Sequence, residues 1–267
     1  MEGKEIIKGK IFDSLNIKFP GEVELTKLKE SLDEAVAKKI DLTNLFNKQG
    51  YSILHFLSHS HSGNFEVAEF IVSYALNNDI SSFDNSNNTD DESKLRQRRR
   101  DLKTWLNRRT PDNNMFTCLI YAAYNGKIGI CSLWIKHGAD INITNLQKVS
   151  VMHIAAQGDL PVSLVYFLET KGVDIDIIDR QSRTPLHYAA NFGSETAACY
   201  LVAYGAYIDA KDCDGNTPLH LSISNYERYA SLDCIKKLLL NGADRFVMNR
   251  NGETPLDVLM GIKGNVD

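Results

Sequence analysis

Thr184-Pro185-Leu186-His187-Tyr188-Ala189-Ala190 is the stretch on which the fold turns. Pro185 sits where a helix can begin, because the first helical turn has no use for the N–H that proline lacks, and Thr184 before it is a natural N-cap. The paired alanines keep one face of a short helix thin enough for a neighbouring segment to stack closely. Gly193 then offers the left-handed turn that ends a helix.

The pattern recurs along the chain. Aligned on its Thr or Ser, it reads Ser52-Ile53-Leu54-His55, Thr117-Cys118-Leu119-Ile120, Ser150-Val151-Met152-His153, Thr217-Pro218-Leu219-His220 and Thr254-Pro255-Leu256-Asp257. From Thr117 onward the cores are 33, 34, 33 and 37 residues apart. Small residues follow, as in Ala122-Ala123 and Ala155-Ala156, then Gly126 or Gly158, an apolar run, and a turn such as Gly138-Ala139-Asp140-Ile141-Asn142. A fixed period of this length means one supersecondary unit repeated and stacked, since a single unit cannot bury its own apolar face.

The repeat resembles that of the ankyrin family, whose pattern is Thr-Pro-Leu-His-x-Ala. The resemblance covers about residues 47 to 260 and is strongest in the two repeats that begin at Thr184 and Thr217. It implies an all-α fold, an ankyrin-repeat solenoid in which inner helix, outer helix and projecting β-turn succeed one another. Cys118 and Val151 replace the proline in two repeats, and Ile120 replaces the histidine in one. Residues 1–46, with Ile6, Ile7, Ile11, Phe12 and Leu15 and then Leu25, Leu28, Leu32 and Val36 at helical spacing, are expected to form a divergent N-terminal capping repeat. Residues 47–267 are expected to hold the repeats, with an insertion at about 79–112. The last repeat, 250–267, is incomplete: Gly261 to Asp267 is too short and glycine-rich for an outer helix. Either the array ends on half a repeat or the chain is part of a longer protein.

Composition sets the outer limits. With 30 Lys and Arg against 34 Asp and Glu the net charge is −4, which argues against a nucleic-acid binder whose whole surface is basic. The longest strongly apolar uncharged stretch, Thr196 to Ile208, falls short of the roughly 20 residues a spanning helix needs, and the N-terminus lacks an apolar signal core. The expectation is a cytoplasmic monomer. Most of the cysteines Cys118, Cys131, Cys199, Cys213 and Cys234, none in a C-x-x-C pair, read as small core residues.

The insertion has a charge pattern of its own. A polar, acidic stretch through Asp90-Asp91-Glu92 reads as a flexible loop. A basic run follows, in which Leu95, Leu102, Trp105 and Leu106 share one side of a helix and Arg96, Arg98, Arg99, Arg100, Lys103, Arg108 and Arg109 supply charge. Three readings stay open: a solvated structural helix, a patch for phosphate, anionic lipid or acidic peptide, and a nuclear import signal or nucleic-acid contact.

No catalytic constellation stands out. His55, His153, His187 and His220 occupy the repeat position, where the resemblance implies a hydrogen bond to the backbone of the adjacent repeat. His59 and His61 with His55 approximate metal-ligand spacing, but no Cys or carboxylate cluster completes a site. No cofactor, metal or small-molecule substrate is expected. The resemblance instead implies a protein or extended-peptide ligand held by the projecting turns and by inner-helix positions. Carried over by position, these are Phe56, Tyr121, Ile154, Tyr188 and Leu221 after the histidine, Tyr124, Gln157, Asn191 and Asn225 after the alanine pair, and Tyr207 and Phe246 at the turns. Trp105 and Trp134 are expected to be core. The C-terminal part is also similar to the ankyrin segments that precede the membrane domain of DHHC-type palmitoyltransferases, which implies a substrate-recruiting arm whose active cysteine lies beyond Asp267. A nuclear regulator using the basic insert is the third possibility.

Overall fold

Helix α1 (Glu2–Leu15) buries Ile7, Ile11 and Leu15, a stripe one turn apart, and packs on α2 (Glu22–Ala37), which buries Leu28, Leu32 and Ala35. Ile6 faces solvent instead of joining that stripe, because its position next to Ile7 turns it roughly 100° around the helix. The computed structural model describes residues 2–15, 22–48, 50–59, 65–78, 80, 91–112, 114–229 and 232–264. Among them the secondary structure is helical apart from two isolated bridges, Phe46–Ser52 and Arg109–Thr117. The chain divides into two units, Met1–Ala122 with Gly129–Ile143 and Ala123–Ile128 with Thr144–Asp267.

The first unit continues through α3 (Ile53–His59), α4 (Phe65–Asn77), α5 (Asp91–Leu106), α6 (Cys118–Tyr124) and α7 (Ile128–Lys136). Trp134 of α7 is fully buried and donates from Nε1 to Ser58 Oγ at 3.0 Å, while Ser58 donates to Leu54 O at 2.8 Å, so the ring and its polar edge are both satisfied. The insertion contributes α5, packed on α4. Its apolar stripe is shorter than the pattern predicts: Leu102, Trp105 and Leu106 are buried, but Leu95 two turns earlier is exposed. Among the described residues, the buried side chains of this helix all lie in its last two turns. Asp79, residues 81–90 and His61 lie outside the described residues.

The second unit stacks inner helices α8 (Val151–Gln157), α10 (Pro185–Phe192), α12 (Pro218–Ser224) and α15 (Pro255–Gly264). Outer helices α9 (Pro161–Val165), α11 (Glu195–Ala203) and α14 (Asp233–Leu240) pack beside them, with a short α13 (Tyr226–Tyr229) between α12 and α14. Each departure from the 33-residue period has a structural outlet. The repeat with one extra residue carries a π-helical turn, Tyr166–Thr170, at the end of its outer helix, a form that absorbs a single insertion. The repeat of 37 residues spends its surplus on α13.

Gly193 ends its helix in the left-handed region, at φ 68°. Gly158 instead has φ −77°, and a Cβ there would lie 3.0 Å from Tyr124 O. Close approach of backbone to backbone, rather than handedness, requires glycine at this site. Cys118, Cys131 and Cys234 are buried, with burial pushing the thiols of Cys131 and Cys234 up to about 12, while Cys199 and Cys213 are half-buried. Among the described residues no helix is long and apolar enough to cross a membrane.

Candidate functional site

The repeat histidines are structural pins. In α10 the backbone N–H of Thr184 donates to His187 Nδ1 at 3.1 Å, with Thr184 Oγ1 2.9 Å from the same nitrogen. His187 Nε2 lies 3.1 Å from Asn216 O, in the turn of the following repeat. This pattern requires a neutral ring protonated on Nε2. His153 repeats it with Ser150 and Arg183 O, His220 with Thr217 and Glu253 O, and in the first unit His55 bridges Ser52 Oγ and Phe116 O. Burial holds the rings of His55 and His153 down at about 4 and lowers that of His187. Asp257, which stands at this position in α15, accepts from Thr254 N at 2.9 Å but has no N–H to pass forward.

A second set of side chains shapes the turns, and the sequence reading missed it. An Asn or Asp stands five residues before every capping Ser or Thr: Asn47, Asp112, Asn145, Asp179, Asp212 and Asn249. Each folds back onto backbone N–H groups of its own turn, as Asn145 does with Gln147 and Val149 at 2.9 Å and Asp212 with Asp214 and Asn216 at 2.9 and 2.8 Å. The constant offset was available as a signal, because an Asx turn needs an acceptor at a fixed distance from the cap. In the second unit successive turns are also laced together: Arg180 N donates to Gln147 O, Cys213 N to Gln181 O and Arg250 N to Asp214 O, at 2.8 to 2.9 Å. These turns are held rigidly by their own hydrogen bonds.

The predicted binding residues separate by burial. Tyr121 is buried against Tyr51, His59, His55 and Phe116, with ring centroids 5.3 to 5.9 Å away. Ile154 and Tyr188 are buried, and the Tyr188 hydroxyl donates to Asp179 at 3.0 Å. Phe56 is half-buried and meets Phe12 of α1 edge-on at 5.8 Å, so α1 already covers part of it. Leu221 and Gln157 are half-buried. Asn225 donates to Asn191 Oδ1 and to Leu221 O, both at 3.0 Å, which spends part of the hydrogen-bonding capacity of those amides. Tyr124 is exposed.

The turns are different. Tyr207 is 64% and Phe246 69% exposed, and Leu146, Ile178 and Met248 are each more than half exposed. These side chains occupy four consecutive turns of the second unit. Phe246 and Arg245, whose guanidinium lies 4.9 Å over the Phe246 ring, stand at the rim of an apolar cavity of about 660 Å³ lined by Leu219, Ile223, Ile235, Leu239 and Leu259.

The basic helix does not present one continuous charged stripe. Arg96 pairs with Glu92, Arg108 donates to Thr43 O at 3.1 Å and covers the Phe46 ring, and Arg98 and Arg109 are engaged by neighbours. Arg99, Arg100 and Lys103 instead line a cleft with Lys136 and His137 of the α7 end. Among the described residues no group of three or more His, Cys, Asp or Glu is placed to hold a metal ion.

Comparison with known proteins identifies the repeat. The family model described as ankyrin repeats, three copies, matches residues 119–212 and 152–245. Palmitoyltransferase AKR1 of Lachancea kluyveri is 30% identical over 140 residues, 51% of this chain and 18% of that protein. The putative palmitoyltransferase ZDHHC13 of Danio rerio is 31% identical over 163 residues, 60% of this chain and 24% of its own length. The target of rapamycin complex 2 subunit AVO2 of Saccharomyces cerevisiae is 28% identical over 174 residues, 60% of this chain and 40% of that protein. The chain thus spans less than half the length of each of these relatives.

Proposed function

We propose that this chain, an ankyrin-repeat protein over residues 119–245, is a non-catalytic recognition module that holds a protein partner on the projecting turns of its second unit. The observation that carries this reading is the row of Leu146, Ile178, Tyr207, Phe246 and Met248, large apolar side chains left in water on turns braced by backbone and Asn or Asp hydrogen bonds. Exposed apolar side chains on a pre-organised frame are what a binding surface needs, because the frame loses little entropy when the partner docks. Tyr207 and Phe246 are the anchors, and the cavity beside Phe246 takes an apolar side chain of the partner. Tyr124, with Gln157 and Asn191, continues the surface on the inner helices. Residues 1–46 serve as the cap that covers the first repeat.

The relatives do not share one activity by name: two are palmitoyltransferases and one a complex subunit, each matched over only part of its length. The palmitoyltransferase names support a second reading, that this chain is the substrate-recruiting arm of such an enzyme. Messenger RNA that continues past codon 267 into apolar spans and a Cys-rich segment supports it, and a stop codon there removes it.

The double substitution Tyr207→Ala, Phe246→Ala tests the site. Both side chains stand in solvent, so the melting temperature is expected to stay within about 2 °C of wild type, as for other surface changes. Partner recovered by affinity capture is expected to fall at least roughly tenfold, the loss of about 1.4 kcal/mol or more that truncating an aromatic anchor brings. Undiminished capture by a folded double variant contradicts the assignment.

A further inference from the structure

We propose that the cleft between α5 and the end of α7 in the first unit is a binding site for a compact polyphosphate, independent of the turn surface above. Arg99, Arg100 and Lys103 reach it from the insertion, and Lys136 and His137 from the following outer helix. No carboxylate lines its volume of about 480 Å³, and none of the five basic groups has an ion pair among the described residues.

The two walls are held at a fixed spacing. Asn107 Nδ2 donates to Gly138 O at 2.9 Å, and Asn107 Oδ1 accepts from Asp140 N at 2.7 Å. A Cβ on Gly138 would lie 3.1 Å from Lys103 Cγ, so the absence of a side chain there is what lets the Lys103 stem lie along the loop. Gathering five basic groups around one cavity is unfavourable in the free protein. Burial and the charges of Lys136 and Arg99 hold the His137 ring below its ordinary value. A ligand with several phosphate groups, each carrying about −1.5 to −2 charge, relieves this repulsion.

The remaining basic side chains of the helix point the choice toward a compact ligand and away from a nucleic-acid strand. Arg96, Arg98, Arg108 and Arg109 are engaged within the protein, and Lys94, nine residues before Lys103, falls on the opposite side of the helix, so no row of free charges leads out of the cleft along which a phosphodiester backbone would run. Leu76 and Leu102 give the cleft an apolar floor on which a ring can rest. An inositol polyphosphate and the headgroup of a polyphosphoinositide share this chemistry.

The test is isothermal titration of the full chain with inositol hexakisphosphate at fixed salt, with orthophosphate as the monovalent-site control. Flotation with phosphatidylcholine vesicles containing either phosphatidylinositol 4,5-bisphosphate or phosphatidylserine runs alongside. Saturable one-to-one binding is expected, weakened roughly tenfold or more by Lys136→Ser and by Arg100→Ser and changed less than about twofold by Arg96→Ser. Binding to bisphosphate vesicles that the soluble compound displaces assigns a lipid headgroup, and soluble binding without vesicle binding assigns a free ligand. The proposal is overturned if the soluble compound does not bind, or if Arg96→Ser weakens it as much as Lys136→Ser. It is equally overturned if phosphatidylserine vesicles bind as well as bisphosphate ones, or if only RNA or a phosphopeptide is bound. All three serine variants alter exposed side chains, and a circular dichroism melt on each confirms the fold.

Discussion

Acidification from pH 7 to about pH 4.5 is expected to cost about 2 kcal/mol at His55 in the first unit and about 2 kcal/mol at His153 in the second. In the unfolded chain these rings take a proton near their ordinary value of 6.5, whereas in the folded protein His55 and His153 do so only at about 4. Between those values the unfolded state binds more protons. The stability present above pH 6.5 is therefore lost as the pH falls toward 4. Burial is the cause of the lowered value, and the geometry is consistent with a neutral ring: Nδ1 of His153 accepts the Ser150 N–H at 3.2 Å, which a proton on that nitrogen would turn into repulsion. His187, also lowered by burial, adds to the second unit's loss. A series of urea unfolding curves at descending pH measures the effect. His153→Gln is expected to be less stable at pH 7 and to lose correspondingly less on acidification. Stability that stays flat down to pH 5 contradicts the pinning role.

Asp179→Ala is expected to remove about 3–5 kcal/mol, the range for breaking a buried ion pair from one side. The Asp179 carboxylate is buried and accepts from Gln181 N at 2.8 Å, Arg183 N and Nε at 2.9 Å, Arg183 Nη2 at 2.8 Å and the Tyr188 hydroxyl at 3.0 Å. Burial alone would raise its carboxyl, and the bonds from the Arg183 backbone and guanidinium outweigh that and hold it below the ordinary range. Asp179→Asn keeps an acceptor for both turn N–H groups, as Asn145 and Asn249 do in sister repeats, and is expected to cost only about 1–2 kcal/mol. Tyr188→Phe removes one bond and about 1 kcal/mol. The order of the three in chemical denaturation is the diagnostic. An alanine variant within 1 kcal/mol of wild type, in the range of an ordinary surface change, would mean that the network carries no load.

How far the sequence could be read is clear from these same residues. The Thr-x-x-His core and its period specify inner helix, outer helix and turn, because capping, small-residue stacking and helix termination act locally. The forward bond of each histidine follows from the family resemblance, and its acceptors are the carbonyls of Phe116, Arg183, Asn216 and Glu253. The ligand-facing residues were less legible. Carrying positions over placed Tyr121, Ile154 and Tyr188 on a binding groove, yet burial depends on what neighbouring repeats bring against them, and a single repeat does not encode that. Tyr188 is held by Asp179 and Arg183, partners nine and five residues away whose offset from the cap had gone unread. The exposure of Tyr207 and Phe246 was legible for the opposite reason: a turn residue has few neighbours, so exposure follows from its position alone. The basic run showed its charge in the sequence but not its division, since Lys136 and His137 join Arg99, Arg100 and Lys103 only once α5 docks beside α7.

Site-specific photo-crosslinking tests the recognition surface most directly. With a benzophenone amino acid placed in turn at Tyr207, Phe246 and Cys199, the first two lying on projecting turns and the last on the outer helix α11, one partner should be captured in covalent form from both turn positions and not from position 199. Crosslinks from position 199 with none from positions 207 and 246 would contradict the claim that the turns of the second unit are where this protein meets its partner.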